Sequence, residues 1–272
     1  MSRRKEPTPT FIAAIAVLGL VVAAPPALAA WPGDGQLGVR TPSKGRAALE
    51  AAAGRNRYLF IFFWKDNDQN ALAMSRVFTS AMRNLSQWAD SVAVQIADPA
   101  EKQIVDKFDV GRAPMPLVLA LAPNGAVTKG FPVTFNEQQL RQAFVSPCTA
   151  KCLRAIQQRK LVVLCVQNQA TQLNRVALKG VQDLKADPRF GQATEVVFLN
   201  PADTAEAKFL QGFQVDPRTA TAVTLLLAPP GGTIGKFEGA VTKEALLAKL
   251  TASQSNPCAG GQCGPNGCGP KK

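Results

Sequence analysis

The sequence contains no histidine and only one tyrosine. Without histidine there is no Ser-His or Cys-His dyad, no imidazole general base, and no zinc or copper site that needs imidazole. Acidic residues are also few, 19 against 31 Lys and Arg, so the 272-residue chain has a formal net charge of +12. Such an excess favours anionic surfaces. The basic residues are scattered, however, and no cluster of aromatic and basic side chains accompanies them, so no nucleic-acid partner is expected. The apolar run 11–24 covers 14 residues, too short to cross a bilayer comfortably. Arg3, Arg4 and Lys5 precede it and Ala27-Leu28-Ala29 follows. The segment therefore reads as a secretory signal peptide cut after Ala29. The mature protein is expected to be exported, to the periplasm or the extracellular space, without stable membrane insertion.

What is present is a duplication. The stretch 96–131, IADPAEKQIVDKFDVGRAPMPLVLALAPNGAVTKGF, answers to 199–237, LNPADTAEAKFLQGFQVDPRTATAVTLLLAPPGGTIGKF. Phe108-x-Val110 matches Phe213-x-Val215, and Ala122-Pro123 matches Ala228-Pro229, each pair ahead of a glycine turn. Around these lie apolar runs of strand length, YLFIFFW at 58–64 and LVVLCV at 161–166, continuous enough to be buried on both faces of a sheet. Helices are expected over 44–53 with Ser43 as N-cap, over 69–88 and over 136–144, and in the second copy over 148–158, 171–184 and 242–250. The expected division is a signal peptide (1–29), an extended leader (30–43), one domain over 44–146, a second over 147–253 and a Cys-rich tail (254–272). Each domain reads α-β-α-β-α-β-β-α, an α/β unit. Strands joined through helices point to a mainly parallel sheet with an antiparallel edge hairpin.

This order resembles the thioredoxin fold. The likeness rests on Phe63-Trp64 at the end of the first buried strand, on Pro116 in Ala113-Pro114-Met115-Pro116 at the place of the family's cis-proline, and on the Asn124-Gly125 hairpin. It covers about 44–144 and, more faintly, 148–253. A thioredoxin-type enzyme carries C-x-x-C in the first turn of the helix after that strand, where unpaired N–H groups and positive potential stabilise the thiolate. Counting from Trp64, these positions are Asp68 and Ala71; in the second domain they are Ala170 and Leu173, with Ala222 in place of the proline. None of the four is a cysteine, so the resemblance implies no redox activity at the family's usual site. Asp66-x-Asp68-x-Asn70 is not a calcium loop, because Ala71 and Val77 stand where Gly and Glu are needed; helix capping is the expected role.

Six cysteines remain. Cys165 lies inside an apolar strand and reads as core. Cys148 and Cys152 share one face of a helix that starts at Ser146-Pro147, which would place Cys148 at the positive helix end. Cys258, Cys263 and Cys268 recur every five residues in NPCAGGQCGPNGCGPKK, too rich in Gly and Pro for a helix or strand. Structural disulfides to the tail, a soft Cu or Zn ion held by these thiols, and disulfide exchange by the Cys263-Gly264-Pro265 segment all remain open. The five cysteines outside the core are odd in number, so one is left free or pairs with another chain. The expected activity is capture of a protein or peptide partner by a scaffold lacking the usual redox site, with no cofactor. The alternative is thiol-based redox or Cu/Zn handling through Cys148, Cys152 and the tail.

Overall fold

The computed structural model describes residues 43–255. The expected signal peptide, all of the leader except Ser43, and Cys258, Cys263 and Cys268 lie outside the described residues. The first unit runs α1 (Lys44–Gly54), β1 (Tyr58–Trp64), α2 (Gln69–Leu85), β2 (Ala89–Gln95), α3 (Lys102–Lys107), β3 (Leu117–Leu121), β4 (Val127–Pro132) and α4 (Glu137–Arg141). The second repeats it with α5 (Pro147–Gln157), β5 (Leu161–Val166), α6 (Asn174–Ala186), β6 (Thr194–Leu199), α7 (Ala207–Gly212), β7 (Val223–Ala228), β8 (Gly232–Glu238) and α8 (Lys243–Ser255). A short 3-10 turn precedes α3 and α7, at Pro99–Glu101 and Thr204–Glu206.

The two sheets are four-stranded, ordered β2-β1-β3-β4 and β6-β5-β7-β8. They correct the expectation of mainly parallel pairing. Only β1–β2 and β5–β6 are parallel, while β1–β3, β3–β4, β5–β7 and β7–β8 are antiparallel. The reason is helix length. Six residues of α3 rise about 9 Å, well short of the roughly 23 Å that a seven-residue strand covers. The chain leaving β2 therefore never returns to the sheet's starting end, and β3 enters from the end where β2 stopped. The duplication extends to irregularities: the β3–β4 register slips between Ala120 and Leu121, and the β7–β8 register between Leu226 and Leu227.

Each central strand is buried on both faces, as its unbroken apolar run requires. Phe60 and Phe62 pack with Phe78, Met82 and Leu85 of α2, and Leu59, Ile61 and Phe63 with Ala52 of α1 and Ile104 of α3. In the second unit Val162, Leu164 and Val166 meet α5, while Val163 and Cys165 meet α6 and α8.

The first helix of each unit starts on a buried carboxylate. The Glu101 side chain accepts from the backbone N–H groups of Lys44 (2.7 Å) and Gly45 (3.1 Å), and that of Glu206 from Cys148 N–H (3.0 Å) and the Ser146 hydroxyl. Gly45 is needed for this approach, since a Cβ there would lie 2.9 Å from the Glu101 Oε2 and 3.0 Å from both Ile104 and Val94.

The β3–β4 turn of the first unit docks on α5 of the second. Asn124 Nδ2 donates to Ala150 O (2.8 Å), Arg154 Nη1 to Gly125 O (3.2 Å), and the Gln157 amide exchanges two hydrogen bonds with the Val127 backbone. Ala122, Ala126 and Ala150 close a small apolar seam beneath these bonds. The Tyr58 hydroxyl holds the connecting segment, donating to Val145 O at 2.7 Å and accepting from Val145 N–H at 3.0 Å.

Candidate functional site

Two positions concentrate what sequence reasoning singled out: the start of the second helix of each unit, and the paired thiols of α5. In the first unit Asp68 is the N-cap of α2, its side chain accepting from the Ala71 N–H at 2.7 Å. Ala71 is buried in the same turn. A carboxylate therefore takes up the first-turn N–H group that could otherwise stabilise an anion there.

Beside this turn the Met115–Pro116 peptide bond is cis. Pro116 O accepts from Val133 N–H (2.7 Å), and Asn70 Nδ2 donates to Val133 O (3.3 Å). These bonds tie the helix start, the proline and the exit of β4 together. Val133 sits at φ 65°, a left-handed conformation that a β-branched residue rarely adopts, and its side chain is exposed. Leu72 in the first turn of α2 is 49% exposed. Sequence reasoning did not find Val133 or Leu72, because neither carries a polar motif and an apolar residue among apolar neighbours reads as core.

The second unit differs at each of these points. The expected helix from residue 171 begins at Asn174, because Leu173 adopts φ 62° and Thr171 is drawn into a polar turn. Asn168 Oδ1 accepts from the N–H groups of Ala170 (2.9 Å) and Thr171 (3.1 Å), while Asn174 Nδ2 donates to Asn168 O (2.7 Å). Gln172 then pairs with the segment ahead of β7, donating to Ala220 O and accepting from Ala222 N–H, both at 2.9 Å. The backbone around Ala222 is thus used by the chain itself. At the position matching Val133 stands Gly239, at φ 78°.

The thiols of α5 are not where an exposed reactive pair would be. Cys148 and Cys152 do share a helix face, but that face packs on the sheet with Val162, Leu164 and Leu210, and both side chains are buried, with no bridge among the described residues. Cys148 lies in the first turn of α5, as expected. Its thiol is pushed well above the ordinary cysteine value by the hydrogen bond with Cys152, by burial, and by the negative fields of Cys152 and Glu206; Lys151 only partly offsets these. Glu206 already fills the positive helix end. Burial alone pushes Cys165 up to about 12. Among the described residues no three Cys, Asp or Glu side chains group as a metal site, and no helix is long and apolar enough to cross a membrane.

A central strand flanked by one parallel and one antiparallel neighbour, an antiparallel edge, and a cis-proline ahead of the third strand together decide the architecture of the first unit. Its fold is thioredoxin-like. The second unit repeats the topology without the proline. No protein-family model matches the sequence, and the comparison with curated proteins finds no match. Among solved structures, the germline-specific thioredoxin Deadhead of Drosophila melanogaster is similar at 14% identity over 37% of this chain and 90% of its own, with a TM-score of 0.31. Oxidised thioredoxin O2 of Arabidopsis thaliana is similar at 15% identity over 38% of this chain and 86% of its own, also at 0.31. StoA of Bacillus subtilis follows at 12% identity, over 32% and 82%, with a TM-score of 0.27. Each alignment spans about a third of this chain, the length of one unit.

Proposed function

We propose that the protein is an exported tandem scaffold that captures extended polypeptide through its first thioredoxin-like unit, without thiol-disulfide chemistry at the family's usual position. The observation that carries this reading is the composition of that face: Asp68 and Ala71 in place of thiols, beside exposed Leu72 and Val133 and a cis-proline. Exposed apolar groups on a rigid, hydrogen-bonded frame favour binding over chemistry. The burial of Cys148 and Cys152 and the raised titration of Cys148 weigh against a thiol function there. Export rests on the basic, apolar and small-residue order of residues 1–29.

The test uses reduced, carboxymethylated α-lactalbumin, a permanently unfolded chain without free thiols, as the probe. Wild-type protein should bind it. The double variant Leu72→Ser, Val133→Ser should bind at least about tenfold more weakly, the equivalent of 1.4 kcal/mol. Insulin reduction in the presence of dithiothreitol should proceed at the rate of dithiothreitol alone. Turnover above that rate, or probe binding indifferent to the double variant, would sink the reading. Loss of residues 1–29 from secreted material, read by intact mass, tests export.

A further inference from the structure

The docking of the first unit's hairpin on α5 creates a cleft that neither unit has alone. Its volume is about 500 Å³, within the range of small-molecule sites, which often form between domains. Its walls are the rings of Tyr58, Trp88 and Phe144 with Pro123 and Pro147, and Lys151 stands at its rim. Trp88 is 48% exposed although its backbone is fixed, its N–H on Leu85 O and its carbonyl accepting from Tyr58 N–H. Tyr58 and Phe144 meet edge to face with centroids 4.7 Å apart, so the aromatic wall is rigid.

Three of the polar side chains around the cleft are already partnered. Arg57 is spent on Asp90 (3.0 Å) and on the carbonyls of Gln87 and Ala89, Asn124 on Ala150 O, and the Tyr58 hydroxyl on Val145. Lys151 is exposed and, among the described residues, has no ion pair. No Asp or Glu lines the cleft. An apolar aromatic slot with a single unneutralised cation selects for a ligand with an apolar body and one negative charge.

We infer that this inter-unit cleft is a binding site for a small apolar anion, an aromatic or branched-chain carboxylate. The apolar body of the ligand would lie against Trp88 and Phe144, and its carboxylate would face the Lys151 ammonium. The site is independent of the polypeptide-binding face of the first unit.

Dye titration of the full chain tests it. The probe is 8-anilinonaphthalene-1-sulfonate, an aromatic anion, with N-phenyl-1-naphthylamine as its uncharged counterpart. Trp88→Ala should weaken both dyes at least about tenfold. Lys151→Glu should weaken the sulfonate at least about tenfold and leave the uncharged dye within about twofold. Both side chains are exposed, and unchanged thermal midpoints confirm that the variants remain folded. Competition of the sulfonate by phenylpropionate, but not by phenylethylamine, should show the preference for an anion. Three outcomes would overturn the inference: no dye bound by the wild type, binding indifferent to both substitutions, or binding lost only in Leu72→Ser, Val133→Ser.

Discussion

Replacing Glu101 by alanine should be among the most costly single changes in the first unit. The carboxylate is only 3% exposed and accepts from two backbone N–H groups that α1 cannot satisfy itself. Hydrogen bonds to a charged acceptor contribute about 1.5–3 kcal/mol each, and the helix end adds about 0.3–1 kcal/mol. Alanine leaves a buried donor at Gly45 and a part-buried one at Lys44 unpaired, so the loss should be about 3–5 kcal/mol. Glutamine keeps one acceptor oxygen but neither the charge nor the second bond, and should cost about half as much. With a guanidinium slope of about 4 kcal/mol/M, the alanine variant should unfold about 1 M earlier. Amide exchange at Lys44 and Gly45 should accelerate more than at residues of β1, which reports the local origin of the effect. A loss below about 1 kcal/mol, or equal losses for alanine and glutamine, would refute the assignment of stability to this carboxylate. Glu206→Ala is the matching change in the second unit. It should destabilise similarly and, by removing a negative field, make Cys148 easier to ionise.

Gly180→Ala would bring a Cβ to 2.1 Å from Val241 O, so it should push α6 off α8 and cost at least about 2 kcal/mol in thermal or denaturant unfolding. Val133→Gly should stabilise by about 0.5–1 kcal/mol, because the left-handed backbone costs an L-residue about 1–2 kcal/mol and glycine returns only part of that as chain entropy. Asp187 is held well below the ordinary carboxylate range by the Arg189 guanidinium and by Lys243. Because its pKa is lowered on folding, its contribution is complete above the unfolded value of about 4 and fades as pH falls below it. Asp187→Asn should therefore lower the melting temperature at pH 7, with the gap to wild type closing towards pH 2. Native protein treated with iodoacetamide at pH 8 should leave Cys148, Cys152 and Cys165 unmodified by peptide mass mapping, and denaturant should expose all three.

The fold was legible because two signals agree. Unbroken apolar runs at 58–64 and 161–166 mark central strands, and the duplicated 96–131 segment aligns the elements around them. Strand direction was not legible, since a helical connection suggests a parallel neighbour only when the helix is long enough to carry the chain back. Positions 68 and 71 could be counted from Trp64, 170 and 173 from the repeat, and the capping role of Asp68 followed from its residue type. The closure of the second unit's loop was hidden, because it depends on Leu173 adopting a left-handed backbone that the sequence favours only weakly. Glu101 and Glu206 were overlooked although the signal was there: Asp98-x-Ala100-Glu101 recurs as Asp203-x-Ala205-Glu206. Acidic residues near the start of a short helix look like ordinary first-turn charges, and only tertiary structure shows them reaching 57 or 58 residues back in sequence to a different helix.

These carboxylates explain how thiols and helix ends are arranged in the chain. A helix N-terminus stabilises whichever anion is placed there. At α1 and α5 that anion is a buried glutamate, and at α2 it is the Asp68 side chain. At α6 there is no side-chain cap, and Leu173 leads a loop whose amides are bonded to Asn168 and Ala220. Cys148 is the one described thiol at a helix start, yet it faces the sheet while Glu206 holds the end of its helix. A positive helix end lowers a thiol pKa only when the thiol is the anion nearest to it. At α1, α2 and α5 the residues that reach these ends first are carboxylates, and at α1 and α5 they fasten the helix to a segment distant in sequence. Leu72, Val133 and Trp88 stand among the exposed apolar side chains, with Leu173, Val176 and Phe198, and none of them lies at the start of α1 or α5, where a carboxylate holds the helix end.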